Sequence, residues 1–150
     1  HTSLGFYIQG AKVNDKIVAV FGLAFKRDTN DVRNSGAVDI ALQLLEGGAR
    51  QLRVYDPAAT AMFKNYFGKK YGEKIFYANN EREALEHTAA AFILTDWPQF
   101  STLDQAIIKT CPPPYFIADG RRMAAHAYKN LQEKGYSILA VGSPFIKGNL

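Results

Sequence analysis

Five consecutive apolar residues, Ile17-Val18-Ala19-Val20-Phe21, constrain this chain more than any other stretch. A strand with one wet face alternates apolar and polar residues, whereas a strand without polar positions is covered on both faces. The run therefore reads as a buried strand of a parallel sheet. The next segments agree with this. Gly22 to Ser35 is a long loop, and Ala37-Val38-Asp39-Ile40-Ala41-Leu42-Gln43-Leu44-Leu45 has the apolar spacing of a helix.

The same alternation recurs along the chain. Strands are predicted over 16–22, 51–55, 75–77, 89–94, 115–118 and 136–141. The first helix runs to Glu46, where Gly47-Gly48 stops it. Further helices are predicted over 59–69, from Asn80 as cap through His87, from Pro98 at a first turn to about Lys109, and over 123–134. Strands separated by helices of this length predict a Rossmann-like, doubly wound, mostly parallel sheet of about six strands in a three-layer αβα sandwich.

A length of 150 residues, nearly half of them apolar, suits one domain with a substantial core. The first residues lack an initiating Met and a signal-peptide pattern, so 1–15 read as a linker or cut end and 16–150 as the domain. The single cysteine, Cys111, forbids an intrachain disulfide and fits a cytoplasmic location. His1, His87 and His126 are far apart, and no Cys/His cluster has metal spacing. No apolar stretch reaches membrane-span length. The net charge is +4, but Lys and Arg are scattered, so the expected partner is a small anion rather than nucleic acid.

In an open α/β sheet the ligand crevice lies at the carboxyl ends of the strands. Three loops would meet there. The first carries Lys26, Arg27 and Arg33 with Asp28, Thr29 and Asp31. The second carries Thr95, Asp96 and Trp97, and the third Asp119, Arg121 and Arg122. Cations from separate loops beside an aromatic predict a diphosphate-and-base pocket.

The same residues resemble the carboxyl-terminal domain of the UDP-glucose/GDP-mannose dehydrogenase family. That pattern runs roughly G-x-[AS]-F-K-x-x-T-x-D-x-R-x-S, matched here by Gly22, Ala24, Phe25, Lys26, Thr29, Asp31, Arg33 and Ser35. Gly48-Ala49, Val54-Tyr55-Asp56-Pro57, Thr95-Asp96-Trp97 before Phe100, and Asp119-Gly120-Arg121 come next in the family's order, so the resemblance spans about 16–142. The chain departs from the pattern at Asn34, where Glu is usual, and at Gly36, where Pro is usual.

The resemblance implies an NAD-dependent oxidation of a nucleotide-sugar C6 alcohol to a carboxylate. Phe25 and Lys26 would contact the nucleotide sugar, Arg121 the UDP, and Arg33 the NAD side, with Arg122 in reserve. UDP-glucose or a UDP-N-acetyl-sugar would be the substrate. The amino-terminal and central domains of the same enzyme would supply most of the NAD site and the catalytic cysteine. A homodimer or larger assembly is implied for the full enzyme, while this chain alone could be monomeric and would be inactive. The alternative reading is a stand-alone nucleotide- or anion-binding module.

Several residues carry plainer expectations. Thr29 and Asp31 read as loop-structuring groups, and Asp119 as a turn residue or an orienter of Arg121. Trp97 reads as packing rather than base stacking. Asp56 reads as a strand end, its other possible role being the ribose-binding acid of a true NAD half. Cys111 reads as a passive thiol, His126 as a group without chemical duty, and the aromatics at 63, 66, 67 and 71 as core or domain contacts.

Overall fold

The computed structural model describes residues 13–24 and 36–149. Six strands form one parallel sheet: β1 (Ile17–Phe21), β2 (Gln51–Tyr55), β3 (Ile75–Tyr77), β4 (Ala90–Ile93), β5 (Tyr115–Asp119) and β6 (Tyr136–Ala140). Their order is β3-β2-β1-β4-β5-β6, and every ladder is parallel. The chain builds outward from β1 in one direction, then returns and builds outward in the other. The order reverses between β1 and β4, which makes that gap the topological switch point.

The apolar run of β1 is explained by what covers it. Val18 and Val20 pack with α1 (Gly36–Glu46) and α2 (Thr60–Phe67), through Leu44 and Phe63 among others. Ala19 and Phe21 face the opposite layer, where α3 (Glu81–Leu85), α4 (Leu103–Thr110) and α5 (Tyr128–Glu133) contribute Leu85, Ile107 and Leu131. Alternate residues of one strand thus serve two cores, as the two-residue side-chain period of a strand requires. The core reaches back to Val13, which packs in the first of these layers.

The predicted strands are all present, the first helix ends at Glu46 as predicted, and the later helices are shorter than their apolar patterns suggested. The helix predicted after Pro98 begins as a 3-10 turn, Pro98–Thr102, before α4. The one predicted from Met123 starts later, with the 3-10 turn Ala125–Ala127 leading into α5. The cause of the second delay is local. Asp119, buried at the end of β5, accepts hydrogen bonds from the Met123 and Ala124 N–H groups at 2.9 and 2.8 Å, which holds those residues in a turn. Asn80 caps α3 as predicted, accepting from Glu83 N–H at 2.8 Å. Arg53 secures the far end of that layer: its guanidinium donates to Glu83 O and lies 4.0 Å from the Phe76 ring centroid.

Gly22 is where β1 hands over to the switch point. Its φ is +92°, and a Cβ there would fall 2.7 Å from Thr95 N, inside the buried start of the loop after β4. Any side chain must therefore displace backbone as well as adopt a left-handed conformation. Gly22→Ala should destabilise the fold by about 2–4 kcal/mol, combining the left-handed penalty with overpacking. Urea unfolding monitored by circular dichroism reads this directly, and a change below 1 kcal/mol (about a fivefold change in the equilibrium) would contradict the close approach.

Candidate functional site

The carboxyl edge of the sheet is organised by two buried aspartates. Asp56, directly after β2, is 3 % exposed. Its Oδ1 accepts from the Ala58 and Ala59 N–H groups at 2.8 and 2.9 Å. Its Oδ2 accepts from Leu23 N–H at 2.8 Å, Ala24 N–H at 3.4 Å and the Trp97 indole N–H at 3.3 Å. The carboxylate thus ties together the ends of β1, β2 and β4. Thr60 closes the same turn, its hydroxyl donating to Asp56 O at 2.9 Å.

Asp119 does the equivalent at β5 and is 0 % exposed. Besides the Met123 and Ala124 N–H groups, it accepts from the Tyr128 hydroxyl at 2.7 Å. Asp119 is thus a turn residue, and the turn it holds presents Arg121 and Arg122. The two arginines have different surroundings. Arg122 turns at φ +55° and donates to Val141 O at 3.3 Å and Ser143 Oγ at 2.6 Å, so it binds the turn to the segment after β6. Arg121 is exposed and makes no hydrogen bond or ion pair among the described residues. Of the two, the reserve candidate Arg122 is engaged in structure, and Arg121 is not engaged with any described residue.

Phe25, Lys26 and Arg33, with Thr29 and Asp31, lie outside the described residues. The anchor from which the first of them continues is described: Leu23 and Ala24 are buried and bonded to Asp56. Thr95, expected in the crevice, is instead buried against Gly22. Trp97 is half-buried, packs against the sheet and spends its indole N–H on Asp56, in line with a packing role. The aromatics of α2 divide: Phe63 and Phe67 are core, while Tyr66 is exposed.

Sequence reasoning did not find the part Asp56 plays. The only sequence signal was an acid before Pro at a strand end, which says turn but not which other loops the turn will hold. His126 lies in the 3-10 turn before α5, with Nε2 3.4 Å from Asp104 Oδ1. That oxygen is buried and has no hydrogen-bond partner among the described residues. Clefts of about 320 and 470 Å³ open at the amino ends of the strands, around Lys16 and Ala89. They lie at the opposite edge of the sheet from Arg121 and from the loops at the carboxyl ends of the strands.

Residues 19–126 match the UDP-glucose/GDP-mannose dehydrogenase family, UDP binding domain. The chain belongs to this family. It is 35 % identical over 136 residues to the UDP-glucose 6-dehydrogenase TuaD of Bacillus subtilis (strain 168), covering 91 % of this chain and 28 % of that protein. It is 32 % identical over 139 residues to the UDP-glucose 6-dehydrogenase of Gallus gallus, with 87 % and 28 % covered. Among solved structures, a UDP-glucose dehydrogenase from Pyrobaculum islandicum superposes with a TM-score of 0.64 at 28 % identity, over 81 % of this chain and 27 % of that one. The chain therefore spans a little over a quarter of the length of these relatives. The fold reading is borne out by the same comparison, as a six-stranded parallel sheet between helical layers.

Among the described residues, no group of three or more His, Cys, Asp or Glu side chains could hold a metal ion. No helix among them is long and apolar enough to cross a membrane. Cys111 is buried, and burial raises its thiol above the ordinary value, against smaller opposing hydrogen bonds from Thr88 and Tyr115. Burial likewise raises the phenols of Tyr115 and Tyr136, and that of Tyr128 with help from the Asp119 hydrogen bond and charge.

For all four groups the folded protein keeps a proton that the unfolded chain releases. The unfolded state sheds these protons from about pH 8.5 for cysteine and about pH 10 for tyrosine. Above those values it binds fewer protons than the native state, so stability falls as pH rises. Urea midpoints measured between neutral and strongly alkaline pH should decline, and the native Cys111 thiol should resist alkylation until the chain unfolds. A midpoint that rises with pH, or rapid native-state labelling, would contradict the assignment.

Proposed function

We propose that this chain is the nucleotide-sugar-binding domain of an NAD-dependent UDP-sugar 6-dehydrogenase, which oxidises the C6 alcohol of UDP-glucose or a UDP-N-acetyl-sugar to a carboxylate. The observation that carries the reading is Arg121. It is exposed and without a partner among the described residues, on a turn fixed by Asp119 at the carboxyl edge, within the residues matched to the family's UDP binding domain. Guanidinium donors suit diphosphate oxygens and nucleotide edges. Phe25 and Lys26, next after Ala24 in sequence, complete the proposed contact set for the nucleotide sugar. Residues 16–150 form the binding domain and 1–15 lead into it, with Val13 already packed against its core.

The chemistry is assigned to parts of the enzyme outside this chain. Hydride would pass twice to NAD+ by way of a thioester on a cysteine supplied elsewhere. The described residues do not fit the adenosine half of NAD. Gly22 lacks the G-x-G-x-x-G spacing, and the acid after β2 is fully engaged with protein N–H groups. Arg33 would reach toward NAD from this side of the site. The domain's part is to bind and orient: holding the diphosphate fixes where the sugar C6 stands relative to the reacting groups. The cytoplasm and a homodimeric or larger assembly complete this reading. The family match and the dehydrogenase relatives weigh against a stand-alone anion-binding module.

Binding and turnover measurements test this. The isotope-labelled chain should bind UDP with a dissociation constant on the order of millimolar, because one wall of a pocket forfeits contacts and preorganisation. It should not reduce NAD+ with any nucleotide sugar. Arg121→Ala should weaken UDP binding by about 1.5–3 kcal/mol, the scale of a charged hydrogen bond, with thermal unfolding unchanged. Turnover by this chain alone, or UDP affinity unaffected by the substitution, would refute it. Lys26→Met should also lose affinity, and equal loss in Arg27→Met would reduce the effect to general loop charge.

A further inference from the structure

We propose that Asp56 is a positioning residue: its carboxylate ties the start of the loop after β1 to the turns after β2 and β4, in place of the ribose contact that an acid at this point makes in dinucleotide-binding sheets. The inference rests on the nucleotide-sugar reading and names the residue that prepares that site.

The sheet order is that of the dinucleotide-binding fold, and Asp56 stands where that fold keeps an acid for ribose hydroxyls, at the carboxyl end of the strand beside β1. A carboxylate offers about four lone-pair sites. Five N–H donors already converge on this one: two from its own turn, two from the start of the loop after β1, and one from Trp97 after β4. A ribose could be accepted only by displacing them. The acid is spent inward, and among the described residues its charge is met by N–H dipoles and not by a cation.

The two oxygens have separate duties. Oδ1 closes the local turn into α2, while Oδ2 makes every bond that crosses between loops. Leu23 and Ala24 are therefore held before a ligand arrives, and Ala24 is the last residue before the Phe25-Lys26 pair. Ordering that would otherwise oppose binding is already in place in the folded protein. This division also makes a selective break possible. In Asp56→Asn the amide oxygen can keep the Ala58 and Ala59 bonds, but its NH2 group then faces three N–H donors and cannot accept from them. Trp97→Phe removes one donor and keeps an aromatic ring.

The experiment uses the labelled 150-residue chain, titrated with UDP and monitored by amide exchange. In Asp56→Asn, UDP affinity should fall about tenfold or more, the scale of lost bonds to a charged acceptor. The Leu23 and Ala24 amides should exchange at least about tenfold faster, as expected for local opening. Trp97→Phe should lose about two- to fivefold in affinity, one bond being the smaller change. Ile107→Val, a core variant remote from the latch, should keep UDP affinity, which separates positioning from general loss of stability. If Asp56→Asn fails to fold, the Trp97→Phe affinity and exchange decide the matter alone.

Wild-type affinity and exchange in Asp56→Asn would overturn the proposal. If the wild-type chain shows no UDP response, the nucleotide reading fails, yet the latch is still judged. Faster Leu23 and Ala24 exchange in Asp56→Asn would support it, and unchanged exchange would overturn it.

Discussion

Two-sided burial of β1 is the constraint on which the rest of the molecule depends. β1 is hydrogen-bonded to β2 on one edge and β4 on the other, and its residues 18–21 are buried without exception. A strand so placed can leave the sheet only at its end, and the departing chain must pass the loop from β4 at close range. Gly22 answers that crowding, with a positive φ and no side chain to meet Thr95. The crevice at the switch point is a consequence of the same reversal, since neighbouring loops diverge to opposite faces of the sheet.

What the strands bring near, two buried carboxylates organise. Asp56 and Asp119 share a design. Each terminates a strand, accepts from backbone N–H groups a few residues downstream, and takes one further donor from an aromatic side chain, Trp97 in the first case and Tyr128 in the second. A buried carboxylate is costly without partners and strongly stabilising to a loop when its lone pairs are filled. The difference between them is range: Asp119 orders its own turn and the helix beyond it, whereas Asp56 reaches across to two other loops. Removing its charge would therefore be felt at positions more than thirty residues away in sequence.

The same economy separates the two neighbouring arginines. Arg122 is committed to Val141 O and Ser143 Oγ, which fastens the turn after β5 to the chain beyond β6. Arg121, one residue earlier on the turn that Asp119 holds, is exposed and has no partner among the described residues. A cation on a fixed turn loses less freedom on meeting a diphosphate than one on a mobile loop.

Much of the fold was legible in the sequence because it depends on local pattern. Apolar runs of strand length, helical spacing between them, and Gly or Asp-Pro at their ends specify a parallel α/β sheet, and the residues at 22–35, 54–57, 95–97 and 119–121 point to a family. The division of labour at the site was decided only by tertiary structure. Nothing in the sequence says that Asp56 will meet Leu23, Ala24 and Trp97, or that Arg122 rather than Arg121 will turn toward Val141. The last helix starts later than its pattern suggested for the same reason: the turn at Met123 is held by Asp119, and an apolar pattern carries no record of a side chain competing for backbone N–H groups. Periodicity reports which face of an element is buried, while the partner of a buried polar group is set by where separate strands end in space.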